Sequence, residues 1–221
     1  MYVLHFFPDT ASLVVRLVLS ELGLPHECRL IDRAGGALIS PQFRALQPMG
    51  LIPAMETPDG PMFETAAILL YLSDRHPGLA PAPTDPARAA FLSWFVFTNN
   101  SVHTTLMQLF HPERVADGAC QPQILAAARV RMQSYLDALD RMVAAKAPDW
   151  LSPDRPTLLG YYLGMLLRWL ASNAPDHPAC FRSVDFPALH PVLAMLESRP
   201  AAIAAAQAES LGPTIFTNPA T

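Results

Sequence analysis

The chain has 221 residues, 51% of them apolar and 15% charged, with a formal net charge of −4. That composition supplies a core and excludes a disordered tail, which needs low hydrophobicity and high net charge. It offers no basic field for phosphates, so nucleic acid is excluded as a partner. The length allows one large domain or two small ones.

Tyr2 to Phe7 is apolar and aromatic and stops at Pro8-Asp9, which predicts a buried strand. Leu13, Val14, Leu17, Val18 and Leu22 recur at helical spacing, and Gly23 and Pro25 end that helix. His26 to Asp32 reads as a second strand. Ser40-Pro41, a capping residue followed by proline at the first helical position, opens a short helix to Leu46. Ile52 to Glu56 and Met62 to Glu64 are short strands joined by the turn at Pro58-Asp59-Gly60. Thr65 starts a helix to about Arg75. The order, βαβ then helix then ββα, predicts one mixed four-stranded sheet.

Proline-rich HPGLAPAPTD (76–85) carries no periodicity, and after it the pattern is helical throughout. Asp85-Pro86 predicts a long helix to about Phe110, and Gln121 to about Ala145 predicts another. Thr157 to Leu170 is almost wholly apolar and reads as a central buried helix. Pro187 to Arg199 and Pro200 to about Ser210 close the chain. No apolar run reaches the roughly 18 residues of a membrane span, and the first residues lack the basic start of a signal peptide. Cys28, Cys120 and Cys180 are odd in number and form no CxxC, which argues against a disulfide framework. The expectation is a cytoplasmic protein with no membrane partner. His103 and His111 are off one helical face, so no metal site is expected.

Two pairs of residues carry a chemical suggestion. Ile52-Pro53 heads the third strand of a thioredoxin-like order, the place where a cis-proline turns the preceding backbone outward to a peptide-like ligand. Glu64-Thr65 ends the last strand and begins a helix. Thr65 read plainly is its cap. Read functionally, the helix N-terminus suits a carboxylate and Glu64 an ammonium, together an α-amino-acid head group.

With the segments SELGLPHE (20–27), SPQFRALQPMGLIPAMETPDG (40–60) and FETAAILLYLSDRHP (63–77), the chain resembles the cytosolic glutathione transferases over essentially its whole length. The resemblance implies an α+β thioredoxin-like glutathione-binding domain (1–77), a linker (78–85) and an all-α domain (86–221), assembled as a homodimer. It implies glutathione as co-substrate, with Ile52 and Pro53 beside its cysteinyl part and Glu64 and Thr65 at its γ-glutamyl end. WFVFTNNSVHTTLMQLF (94–110) is similar to the corresponding helix of the bacterial beta class, which places His103 at that class's active-site histidine. Phe7, Leu106, Met107 and Phe110 would then line a pocket for a small apolar electrophile.

The chain departs from the family at the turn after the first strand. Family members carry a serine, cysteine or tyrosine there to meet the glutathione sulfur; here the turn reads Pro8-Asp9-Thr10-Ala11-Ser12, with Ala11 at the beta-class cysteine position and Asp9 near the zeta-like serine position. An alanine has no donor, and a free aspartate repels a thiolate. Thr10 and Ser12 remain as hydroxyl donors, Thr10 the preferred one because Ser12 is placed to cap the helix. Lowering a thiol pKa by about two units requires about 2.7 kcal/mol. A helix N-terminus contributes about 0.3–1 kcal/mol, or up to about 2 when partly buried, and a charge-assisted hydrogen bond about 1.5–3 kcal/mol. Thiolate-forming conjugation is therefore one expectation, and a binding protein with little turnover, or a glutathione-dependent isomerase or reductase, is the alternative. A second departure is Gly160, where the family completes a capping box with aspartate three residues after Thr157; its absence is expected to cost about 1 kcal/mol.

Overall fold

The computed structural model describes residues 1–220. Its first third is the expected thioredoxin-like unit. Strands β1 (Tyr2–Phe6), β2 (His26–Leu30), β3 (Ala54–Thr57) and β4 (Gly60–Phe63) form one sheet in the order β2-β1-β3-β4. β1 runs parallel to β2, because helix α1 (Ser12–Glu21) provides the crossover, and antiparallel to β3, which pairs with β4 through the hairpin. Adjacent residues of β3 serve opposite faces: Met55 joins the main core with α1 and α3 (Thr65–Arg75), while Ala54 packs with Ile31 and with Phe43 of α2 (Pro41–Leu46). Ser40 caps α2 as expected, its Oγ accepting from the Phe43 amide at 3.1 Å.

The remainder is helical: α4 (Arg88–Phe97), α5 (Thr104–Phe110), α6 (Gln121–Lys146), α7 (Leu158–Ala171), α8 (His190–Glu197) and α9 (Pro200–Glu209). The single helix expected from Asp85 to Phe110 is instead two helices separated by a π-turn over Thr98–His103. It also starts later, because the Asp85 carboxylate accepts from the Ala87 amide at 2.7 Å in a turn ahead of α4. The proline-rich segment is tied down: the Leu158 amide donates to Leu79 O at 2.7 Å, and Arg88 bridges Pro81 O and the Asp74 carboxylate, both at 2.8 Å.

α1 and α7 share one continuous core with α3, α4 and α6. α1 is apolar almost all round because the sheet covers one side and α7 and α9 the other. At its C-terminal end the buried Glu21 carboxylate accepts from Tyr161 Oη and from Arg199 Nη2, both at 2.6 Å, which clamps α1 to α7 and to the α8–α9 junction.

The reading of Gly160 is corrected here. Thr157 does cap α7, accepting from the Gly160 amide at 3.1 Å. A Cβ at position 160 would lie 2.7 Å from Thr157 Oγ1 and 2.9 Å from Leu196 Cδ1, so a side chain there displaces the capping hydroxyl and the Leu196 side chain of α8. The missing aspartate is therefore not simply an omitted stabiliser. Gly160→Asp, which completes the capping box by sequence, should destabilise the fold by about 1–3 kcal/mol through overpacking. Urea unfolding of the two proteins measures the sign; a rise in stability would refute this account.

Candidate functional site

A cavity of about 620 Å³ opens between the turn after β1, the segment before β3 and the N-terminus of α3 on one side and the α4–α5 and α7 helices on the other. Its lining brings together Thr10, Ile52, Pro53, Glu64, Thr65, His103, Met107 and Phe110 of the residues singled out in the sequence. The Ile52–Pro53 bond is cis. Glu64 is the N-cap of α3 at φ 68°, ψ 116°, and its side chain makes no capping bond. Thr65 is therefore the first helical residue and not the cap. A non-glycine residue in left-handed backbone costs of order 1–3 kcal/mol and persists where the surrounding structure holds it. The effect here is to leave the Glu64 carboxylate uncommitted beside the N-terminus of an 11-residue helix.

Three of the sequence assignments lie elsewhere. Leu106 is fully buried in the core, because on α5 the cavity face is Met107 and Phe110 while Thr105, Leu106 and Leu109 face inward. Phe7 lies outside the cavity lining, with the Arg33 guanidinium 4.9 Å from its ring centroid. Ser12 is fully buried, and it does not cap α1, whose N-cap is Ala11 without any side-chain bond. Its hydroxyl lies 2.8 Å from Thr10 Oγ1 and 3.2 Å from Phe7 O, while Thr10 Oγ1 lies 2.8 Å from the same carbonyl. Two hydroxyl protons thus serve three contacts. When Ser12 donates to Thr10 Oγ1, the Thr10 proton is free for Phe7 O or for the cavity that Thr10 lines; when Ser12 donates to Phe7 O, the Thr10 proton is held by Ser12 Oγ.

Asp9 does not behave as a free charge. It sits at φ 53° with its carboxylate accepting from Arg168 Nε and Nη2, both at 2.8 Å, and from Trp169 Nε1 at 2.9 Å. Its amide donates to Glu209 Oε2 at 2.9 Å, and the other oxygen of Glu209 lies 2.8 Å from Arg16 Nε. Burial pushes the Glu209 carboxyl up, opposed by the Asp9 amide and Arg16. The bidentate pair neutralises Asp9, so the repulsion of a thiolate expected from the sequence does not arise in that form.

His103 Nδ1 is 2.8 Å from Tyr162 Oη, which donates to Asn99 Oδ1 at 2.9 Å. Asn99 Nδ2 donates to Asn100 Oδ1 at 2.9 Å. Since the tyrosine proton is directed to Asn99, His103 must be protonated on Nδ1, and Nε2 keeps its lone pair. Burial lowers the His103 pKa to about 4, so the ring is neutral near pH 7. Burial, then the Glu64 carboxylate, pushes the Tyr162 phenol well above its ordinary value.

The sequence reading missed Asn99, Tyr162, Arg33, Arg114 and Trp169. Asn99 had a signal, since it lies four residues before His103 and shares its helical face; the others lie in segments without one.

The family of the glutathione S-transferase N-terminal domain matches residues 4–81. A glutathione S-transferase of Xanthomonas campestris pv. campestris is 28% identical over 176 residues, which is 78% of this chain and 84% of the relative. The solved glutathione S-transferase of Xylella fastidiosa has a TM-score of 0.79 at 27% identity, covering 96% of this chain and all of that one. A sphingomonad glutathione S-transferase complexed with glutathione has a TM-score of 0.76 at 29% identity, over 95% and 100% of the two chains. Residues 4–81 match the glutathione S-transferase N-terminal domain, and over most of its length the chain is similar to bacterial glutathione S-transferases. The turn after β1 of this chain holds an aspartate locked to α7.

Two outcomes follow from these geometries. Asp9→Asn leaves the Arg168 guanidinium, whose side chain is 4% exposed, without its countercharge. Removing one partner of a fully buried pair costs about 3–5 kcal/mol; because Asp9 is 38% exposed, a loss of about 2–3 kcal/mol in denaturant unfolding is expected. For His103 the folded pKa lies below its unfolded value of 6.5. The unfolded chain then binds the proton first, so stability is full above about pH 6.5 and is lost as pH falls toward 4, by up to about 3 kcal/mol. The slope of unfolding free energy against pH in that window should be shallower in His103→Gln; an equal slope would refute the neutral, half-buried imidazole.

Proposed function

We propose that the cleft binds glutathione and ionises its thiol for attack on a small apolar electrophile. The observation that carries this reading is the convergence of Ile52-Pro53, Glu64, Thr65, Thr10 and His103 on one cavity within the range of about 300–1,000 Å³ usual for small-molecule sites. The γ-glutamyl ammonium pairs with Glu64, and its carboxylate meets the N-terminus of α3. The cysteinyl backbone lies along Ile52, and the glycyl carboxylate is taken by Arg33, which lines the same cavity. In this reading residues 1–77 hold the tripeptide, residues 86–221 hold the acceptor, and the protein works as a cytoplasmic homodimer.

The chemistry assigned to the side chains follows from their hydrogen bonds. Ser12 donates to Thr10 Oγ1, and Thr10 turns its proton to the glutathione sulfur at the N-terminal end of α1. The thiol proton leaves to solvent, because His103 is held neutral and does not retain it. The sulfur lone pair forms a bond to the electrophilic carbon, and the leaving group departs with the electron pair of the bond that breaks. His103 acts through Nε2 as an acceptor for a donor group of the bound tripeptide.

A second reading, glutathione binding without turnover, is favoured by one observation. In the arrangement where Thr10 donates to Phe7 O at 2.8 Å, the shorter of the two contacts to that carbonyl, no hydroxyl proton is left for the sulfur. Thr10→Ala separates the readings. Under the transferase reading it raises the pKa of bound glutathione, read from thiolate absorbance against pH, by about one unit or more, and lowers turnover about tenfold or more, the worth of one charge-assisted hydrogen bond. Unchanged turnover would remove Thr10 from the mechanism, and tripeptide binding with no turnover in the parent protein would establish the second reading. Glu64→Gln should weaken glutathione binding in calorimetry about tenfold, from the lost ammonium partner. No heat with millimolar glutathione in the parent protein would overturn both readings.

A further inference from the structure

We infer that the acceptor half of the cleft selects an electrophile bearing a carboxylate, with Arg114 as the residue that reads it. This rests on the transferase reading above and goes beyond it by naming the substrate class. The cavity is lined by four residues that carry full charge at neutral pH: Asp9, Arg33, Glu64 and Arg114. Asp9 is neutralised by Arg168. Arg33 and Glu64 are matched by the glycyl carboxylate and the γ-glutamyl ammonium. One charge is left over after glutathione is seated, and it is the Arg114 guanidinium, which makes no ion pair within 4.0 Å among the described residues. The carboxylate next to it in sequence, Glu113, is turned to His111 Nδ1 at 3.1 Å and does not line the cavity.

The position of this charge fits a second substrate and not the tripeptide. Met107, Phe110, His111 and Arg114 follow at intervals of three, one and three, so one side of α5 and the turn after it present an apolar surface that ends in a cation. Trp169 lines the cavity too, its indole oriented by the bond to Asp9. An acceptor with a flat apolar body and an anionic end satisfies both parts. A guanidinium binds a carboxylate through two parallel N–H···O bonds, which fixes orientation as well as attraction.

The test uses two chlorinated nitroaromatics of the same shape, 4-chloro-3-nitrobenzoate and 4-chloro-3-nitrobenzamide, which differ in charge at one end. The quantity read is the ratio of their kcat/KM values. In the parent protein the ratio should favour the benzoate and fall as salt is raised. Arg114→Gln should lower it about three- to tenfold, chiefly through KM of the benzoate, and Arg114→Lys should restore part of it because charge without the planar fork remains. A ratio unmoved by Arg114→Gln overturns the inference. A weakening of glutathione binding in calorimetry as large as the fall in the ratio also overturns it, by assigning Arg114 to the tripeptide. These results leave the transferase reading standing, whereas a parent protein that neither binds glutathione nor turns over either aromatic removes both.

Discussion

The turn that follows β1 is held in place by groups distant in sequence. Asp9 is tied by two hydrogen bonds to Arg168, 159 residues away, and its amide is tied to Glu209, 200 residues away. Arg168 is buried, so its charge has to be matched where it stands, and Asp9 is the carboxylate bonded to it. Everything the cleft does follows from this constraint. It fixes the left-handed backbone at Asp9, which delivers Thr10 and Ala11 to the cavity wall and sets Ser12 as the first residue of α1. It also orients Trp169 from the opposite wall. The residue that reads, in the sequence, as an obstacle to thiolate chemistry is the anchor of the turn after β1.

The electrostatics of the cleft are arranged by burial and pairing and not by a large net charge. Asp9 is cancelled by Arg168, and His103 is kept neutral by desolvation. Glu64, Arg33 and Arg114 line the cleft and make no ion pair within 4.0 Å among the described residues. In the proposed reading, a tripeptide with two carboxylates and one ammonium answers Arg33, the N-terminus of α3 and Glu64. A half-buried neutral imidazole carries no net charge, which makes it a hydrogen-bond acceptor whose role persists across the neutral pH range.

The order of elements could be read from the sequence because each boundary has a local cause. Ser40-Pro41, Gly23 with Pro25, and Pro58-Asp59-Gly60 act through backbone conformation and capping, which operate within a few residues. The site divided along the same line. Ile52-Pro53, Glu64 and Thr65 lie at strand and helix ends that local pattern locates, and they meet in the cavity. Leu106 and Phe7 were misplaced because an apolar residue one position along a helix or strand end turns to another face, and periodicity alone does not say which face looks into a cleft. The roles of Asp9, Tyr162 and Trp169 depend on α7 reaching back to β1, a contact that no window of sequence contains. Gly160 shows the limit most sharply: a local rule made it a missing cap, whereas a side chain there displaces Thr157 Oγ1 and Leu196 of α8.

The π-turn between α4 and α5 belongs to the same logic. Thr98–His103 interrupts what the sequence presents as one helix, and both polar residues that meet Tyr162 Oη, Asn99 and His103, lie within it. An oxygen with one proton can donate once, so the phenol joins an acceptor and a donor and thereby decides the tautomer of the histidine. The interruption of regular helix is commonly found where side chains must converge on a site. Here it serves to bring an amide and an imidazole onto a single buried hydroxyl whose phenol is pushed up by its burial. That phenol keeps its proton across the working pH range, so the imidazole keeps the same free nitrogen throughout. The fixed tautomer is thus a product of the core, because Tyr162 is buried in α7, the same helix that carries Arg168. One helix therefore sets two parts of the cleft: through Arg168 it holds the turn after β1, and through Tyr162 it sets which nitrogen of His103 stays free.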